Sequence, residues 1–262
     1  SLPSLSGRFV RARANAREIK KILECMTYAA KEEKIKSYGI SPEIIAFTFG
    51  DPFAFLIGVL ADYQIPAGRA WSFPYYLRER LGGLTPKKVA ETPLAVLAEK
   101  IREPKALHRF PFQMAMNVQR AAYLVCAKYR CDALNIWKTD SHIELQKRLL
   151  EFRGMGSTKK VPMMIKMLIR DWGLNFGSLP AIHIAYDKHT RRVLLRAGLM
   201  EKDSVADIEL AGCRLSPVYP AKYDDAIWLV GRNFCHPQEP DCENCPLAKA
   251  CEKKNIRETA EL

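Results

Sequence analysis

No apolar run in this 262-residue chain approaches the roughly 20 residues needed to span a membrane. A membrane protein is not expected. Ser1-Leu2-Pro3-Ser4 carries no apolar targeting core, so the expected location is cytoplasmic. Alternating apolar and polar residues never persist over a convincing strand length. Internal repeats and low-complexity segments are missing too, which leaves an all-α protein. Acid is in deficit: 29 Asp and Glu stand against 41 Lys and Arg, giving a net charge of +12 and a pI of about 9.3. That excess favours a polyanionic partner, because neutralised phosphates release counterions and drive association. Charge alone is equally compatible with a basic protein that is merely soluble. With 48% hydrophobic residues the chain is globular, long enough for one large domain or two small ones.

Cysteine is sparse until the end. Cys25, Cys126, Cys131 and Cys213 are scattered through apolar helical patterns and are expected as buried free thiols. The other four of the eight fall within the last 28 residues. With no secretory signal, a reducing compartment and a metal cluster fit better than disulfides. Cys235, Cys242, Cys245 and Cys251 are spaced C-x6-C-x2-C-x5-C, so four thiolates from 17 consecutive residues can wrap one compact cluster. Structural zinc ordinarily takes two CxxC knuckles, and only one is present, which favours a [4Fe–4S] cluster over zinc. Electron transfer is the rival use of such a cluster, but ferredoxin ligands are spaced more tightly. A structural role is favoured, with the loop between Cys235 and Cys242 holding a surface in place.

Helical periodicity runs from Ala16 to Lys34, with Ile19, Ile22, Leu23, Met26 and Ala30 on one face. Arg8, Arg11, Arg13 and Arg17 read either as a phosphate-contacting arm or as a solvated face. Phe53 to Tyr63 is apolar nearly all round and therefore central. It stops before Gln64, which is either a surface cap or a side chain that fills a vacated base position in a duplex. Further helices are expected at Ala67 to Leu81, Pro86 to Glu91, Leu94 to Arg102, Phe112 to Tyr129, Ser141 to Phe152 and Ser157 to Trp172. His108-Arg109-Phe110-Pro111-Phe112 is a basic, aromatic turn. Phe110 reads as a wedge between bases or as core packing. Past a loop at Gly173 to Pro180, helical patterns return at Asp187 to Leu199, Ser204 to Leu215 and Ala221 to Phe234.

Gly154-Met155-Gly156-Ser157-Thr158-Lys159-Lys160 organises the chain. Two glycines around one apolar residue, between helical patterns, predict a tight hinge whose uncovered amides face a helix N-terminus. Such a site binds an anion, and Lys159 and Lys160 are expected to strengthen its field. Taken alone, the pattern is also that of a plain turn. Asp187 then begins another helix, as a functional acid or as its N-cap.

These residues together resemble the endonuclease III branch of the helix-hairpin-helix (HhH-GPD) DNA glycosylases. Trp228 to Cys235, Pro240 to Leu247 and Cys251 are similar to that family's iron–sulfur segment, and Asp187 to Val193 to its D-x-H-x-x-R-V element. Phe152-Arg153-Gly154-Met155-Gly156 resembles its L-P-G-V-G hairpin, with Arg153 in place of proline. Pro52 to Gln64 resembles the helix that ends in its duplex-filling glutamine. The likeness covers roughly residues 45 to 251. It implies a two-lobed architecture: a central helical domain over residues 50–172 ending in the hairpin, and a cluster domain from 1–49 plus 173–262. It also implies that DNA lies across a cleft between the lobes, with the target nucleotide flipped out.

The expected DNA contacts, from the residues and the resemblance together, are Gln64, Phe110, Gly154, Gly156, Ser157, Lys160 and His189. The cluster ligands are the four C-terminal cysteines. Asp187 is the expected catalytic carboxylate, since breaking an N-glycosidic bond develops positive charge on the sugar. Bifunctional members carry a Schiff-base lysine two residues after the second hairpin glycine, and Thr158 holds that position here. Base removal without strand cleavage is therefore expected; a one-residue insertion would instead place Lys159 there, about 100° round a helix from Thr158. Tyr186 is expected at the pocket wall, stacked on the flipped base or simply packed. The expected partner is double-stranded DNA with a damaged or mismatched base, bound by a monomer associated with the nucleoid. Only eleven residues follow Cys251, which lowers the expectation of adenine removal. Uracil or thymine in mismatches, alkylated purines and oxidised pyrimidines remain open.

Overall fold

The computed structural model describes the backbone of residues 5–262 and the side chains of residues 15–262. Twelve α-helices and two 3-10 turns form the described residues, with no strand among them. The chain divides into a central unit, Lys36–Phe176, and a terminal unit that runs up to Ile35 and resumes from Gly177 to Leu262. Residues 36–49, expected with the C-terminal segment, lie in the central unit because α2 packs on α3 and α4. The side chains of Arg8, Arg11 and Arg13 fall outside the described residues, while Arg17 is exposed.

In the central unit, α2 (Pro42–Gly50) and α3 (Pro52–Ala61) meet at 105°. Asp51 makes the corner: it ends α2 and accepts from the Ala54 amide at 2.7 Å to start α3, with Pro52 at the first helical position. Every α3 residue from Phe53 to Ala61 is buried, so its apolar circumference is matched by neighbours on all sides. Gly58 permits this, since a Cβ there would lie 2.8 Å from the Trp71 ring. Phe55 stacks on Trp71 at 5.9 Å, and Trp137 meets Trp172 edge-on at 5.4 Å. Among the described residues no single helix is long and apolar enough to cross a membrane.

Around α3 stand α4 (Ala67–Leu81), α5 (Pro86–Glu91), α6 (Leu94–Arg102), α7 (Pro111–Tyr129), α8 (His142–Leu150) and α9 (Lys160–Trp172). Thr85 and Ser141 cap α5 and α8 by accepting backbone amides. Residues Ser157–Lys159 form turns, so α9 begins only at Lys160 and the helical offset between Thr158 and Lys159 does not apply. Cys126 and Cys131 are not free thiols but a disulfide. Arg130 and Cys131 both adopt left-handed backbone angles (φ 58° and 55°), turning the chain back on the end of α7.

The terminal unit is built from α1 (Leu5–Ser37), α10 (Lys188–Arg196), α11 (Val205–Leu215) and α12 (Asp224–Asn233). Ile19, Leu23 and Ala30 of α1 share a core with Leu194, Ile208, Tyr223 and Ile227. The Lys34 ammonium donates to Asp225 at 2.8 Å, both side chains about 10% exposed. Cys25, expected buried, is an exposed free thiol, and Cys213 is a half-buried one.

Candidate nucleic-acid site and cysteine cradle

Each unit contributes a separate set of chemistry-bearing residues. In the central unit the chain leaves α8 at Leu150 and turns through Gly154, whose φ of +95° is left-handed. A Cβ at Gly154 would also come within 3.1 Å of the Asn117 amide nitrogen, so conformation and space both call for glycine. Gly154, Gly156, Ser157 and Thr158 are exposed. Lys159 is half-buried and pairs with Asp62 at 3.1 Å.

Lys160 departs from its expected role. It is buried, not presented to an external phosphate, and its Nζ donates to the Leu60 carbonyl at 2.8 Å. Burial lowers its pKa to about 8, with the Asp62 carboxylate pulling the other way. His108, also buried, donates from Nε2 to the Ala61 carbonyl (3.2 Å) and accepts the Phe110 amide at Nδ1 (3.1 Å). Burial pushes its pKa down, consistent with the neutral ring this bonding requires. Lys160 thus meets the Leu60 carbonyl in the last turn of α3, and His108 adds a second bond to the Ala61 carbonyl, which already accepts the Tyr63 amide at 2.7 Å. Just beyond, Gln64 is exposed in a left-handed conformation (φ 52°), its amide donating to the Tyr63 hydroxyl at 3.0 Å. Phe110 is 36% exposed, its ring 6.0 Å from that of Tyr63.

In the terminal unit Asp187 is the N-cap of α10. Its Oδ1 accepts the His189 amide at 2.9 Å, and Thr190 Oγ1 receives the Asp187 amide in return. The two readings of Asp187 are therefore compatible: the cap fixes the orientation of a half-buried carboxylate. Tyr186 donates to Asp203 at 2.9 Å and lies under the Arg191 guanidinium, 4.4 Å from its ring centre. His189 is half-buried against Arg192 and Trp228: its Nδ1 lies 3.0 Å from Arg192 Nη2 and its ring 5.3 Å from that of Trp228. Burial lowers its pKa to about 4, so it is neutral at physiological pH and offers no cation to a phosphate.

The four C-terminal cysteines line one cavity together with Arg196, Phe234 and Ile256. All four are unpaired thiols. Burial raises Cys245 to about 11 and also raises Cys251, each further raised by the neighbouring cysteines. Thiols this buried ionise at neutral pH only against a metal, which deprotonates them outright. Among the described residues no three His, Cys, Asp or Glu side chains converge closely enough to hold a single ion. Four unpaired thiols around one cavity are the donor set that a four-iron cluster takes, one thiolate to each iron.

Sequence reading missed what organises this cradle. Arg192 and Arg196, one turn apart on α10, are both buried. Arg192 donates to the carbonyls of Cys235 (2.6 Å), Gly231 (2.7 Å) and Leu262 (2.7 Å). Arg196 donates to those of His236 and Pro237 (both 2.6 Å) and approaches the Cys235 sulfur at 3.5 Å. The available signal was the pair of arginines inside an apolar helix, four residues apart, just before a cysteine-rich loop.

No family model matches the chain, and no curated protein matches it in sequence. Solved structures do match its fold. One is a trapped endonuclease III–DNA covalent intermediate, an estranged-adenine complex; it is 22% identical with a TM-score of 0.59, over 90% of this chain and 98% of that one. A non-covalent endonuclease III–DNA complex matches at 22% identity and TM-score 0.59, over 87% and 98%. A thermostable thymine-DNA glycosylase matches at 17% identity and TM-score 0.55, over 86% and 98%. The chain therefore has the all-α, helix-hairpin-helix fold of endonuclease III and of that glycosylase.

Proposed function

We propose that this chain is a base-excision DNA glycosylase that takes a damaged or mismatched base out of duplex DNA and hydrolyses its N-glycosidic bond. The observation that carries the reading is Asp187, a half-buried carboxylate fixed by a capping box in a chain with the endonuclease III fold. As the glycosidic bond lengthens, the deoxyribose gains positive charge. A carboxylate held in one orientation beside it stabilises that charge and accepts a proton from the attacking water. The exposed amides around Gly154 and Gly156, with Ser157 beside them, grip the backbone phosphate. Gln64, exposed beyond the end of α3, or Phe110, exposed before α7, fills the gap left by the extruded nucleotide.

Strand cleavage is not expected. Thr158 has no amine, and the Lys159 amine is engaged with Asp62 at 3.1 Å instead of standing free beside it. Cys235, Cys242, Cys245 and Cys251 would hold a [4Fe–4S] cluster, which when bound supplies a rigid cross-link of the loop they share. Around it Arg192 and Arg196 hold that loop against α10.

The deciding experiment is a panel of duplexes carrying uracil, mismatched thymine, alkylated purines or oxidised pyrimidines, assayed with and without alkali. The wild type should yield abasic sites that break only after alkali. Asp187→Asn should lower base release at least ~100-fold while duplex binding persists. Turnover unchanged by that substitution would refute the assignment. If no lesion ever yields an abasic site, the chain is a non-catalytic iron–sulfur DNA-binding protein.

A further inference from the structure

The central unit contains a pocket of about 370 Å³ between the end of α3, the start of α7 and the glycine hairpin. Tyr63, His108, Phe110, Asn117, Arg153 and Lys160 line it. Its volume lies at the small end of ligand sites, roughly 300–1,000 Å³, and suits a single heterocycle. Two of its walls are aromatic: Phe110 stands 6.0 Å from Tyr63 and 6.1 Å from His108. Rings of this kind stack on any base and do not choose among them.

The choice lies with the polar groups at the buried wall, and these donate; Gln113 Oε1, an amide acceptor among the lining side chains, belongs to a residue exposed at the rim. An ammonium has three N–H groups and no acceptor, and Lys160 spends one of its three on the Leu60 carbonyl. The Asn117 carbonyl oxygen accepts from Gln113 at 3.1 Å, which turns its NH2 toward Gly154 at the pocket wall. Arg153, exposed at the rim, is donor-only as well. Both nitrogens of His108 are already engaged with backbone groups.

We propose that this pocket receives one unpaired nucleobase from the duplex and selects keto bases, which present O4 or O6, over amino bases, which present N4 or N6. A keto oxygen meets the donors of Lys160 and Asn117, whereas an exocyclic amine sets donor against donor. The lowered pKa of Lys160 supports this: the group is still mostly protonated at neutral pH, and a desolvated cation gains most from a carbonyl. The inference rests on the glycosylase reading, which supplies the unpaired base. That base can come from the attacked strand or from the one opposite.

The test measures equilibrium binding of the full-length chain to two duplex series. In one, a tetrahydrofuran abasic analogue faces T, G, C or A. In the other, a 2′-fluoro nucleotide that resists cleavage carries hypoxanthine or adenine, uracil or cytosine, at a mispair. Keto duplexes should bind at least about tenfold more tightly than their amino counterparts in one series, which identifies the strand. Lys160→Met should reduce that ratio to near unity. Because Lys160 also caps α3, Asn117→Asp is the companion variant: it replaces the amide donor with an acceptor and should shift preference toward amino bases. Ratios within about twofold in both series would overturn the proposal. So would a keto preference that survives both substitutions, or borohydride trapping of Lys160 on an abasic duplex, which would make it a nucleophile. Base release is scored separately on cleavable duplexes. A keto preference without release sinks the enzyme reading and keeps the pocket; release without a keto preference does the reverse.

Discussion

Lys159 and Lys160 are adjacent in sequence with the same formal charge, and their surroundings separate them. Lys159 reaches Asp62 and is about one-third exposed, whereas Lys160 points beneath the end of α3. The lowered pKa of Lys160 has a consequence for stability. Below pH 8 the group is protonated in both folded and unfolded chains, and the full cost of burying its charge is present. Between pH 8 and 10.5 the unfolded chain holds the extra proton, so unfolding becomes harder as pH rises. The whole difference amounts to roughly 3 kcal/mol. Urea denaturation should show the wild type gaining on Lys160→Met by about that amount from pH 7.5 to 10.5. A difference that stays flat across this interval would mean that the amine is not buried. Nothing in the sequence distinguishes these two lysines, since a hairpin lysine read by charge alone belongs on a phosphate. The disulfide between Cys126 and Cys131 was hidden for a related reason: it depends on two left-handed residues in a row, neither of them glycine.

At the scale of elements, the legible parts were those fixed by local chemistry. Ser41, Asp51, Thr85, Ser141 and Ser204 each accept a backbone amide at a helix start, and each precedes a periodic apolar pattern. The start of α9 was misplaced because Ser157, Thr158 and Lys159 are acceptable helix formers held in turns by the hairpin. The packing of α10 on α12 was not legible at all, although it fixes both Asp187 and the cysteine cradle. Gly231 is the contact point, where a Cβ would lie 2.8 Å from both the Cβ and the carbonyl oxygen of His189. Since one of those atoms is backbone, α12 would have to move off α10. Gly231→Ala should therefore cost about 1–3 kcal/mol, lowering the melting temperature by roughly 2–4 °C for each. Base release should fall with it, because His189 donates its amide to Asp187. An unaltered melting temperature would show that the two helices are less tightly joined.

For the whole molecule, a cluster held by the four C-terminal thiols would bear on the stability of the terminal unit alone. Its last segment, from Phe234 to Leu262, contains no α-helix. It is tied down by Arg192, Arg196 and a few side chains such as Leu247 and Ala250 in the core. Two buried arginines facing carbonyls satisfy each other's hydrogen bonds but bring their own desolvation cost, so they position the loop more than they stabilise it. The central unit needs no such cross-link, for its core is the aromatic cluster around α3. Three of the four tryptophans, Trp71, Trp137 and Trp172, lie in that unit. Tryptophan emission therefore reports mainly on the central unit, and circular dichroism on both. Purified protein should carry about four irons per chain, and Cys245→Ser should lose them along with the visible charge-transfer absorbance. In that variant part of the helical signal should melt early, while the tryptophan transition keeps its wild-type midpoint. If the two signals shift together, the units are not independent in stability. If Cys245→Ser changes neither iron content nor melting, the four thiols hold no cluster, and the loop must be secured by the arginines alone.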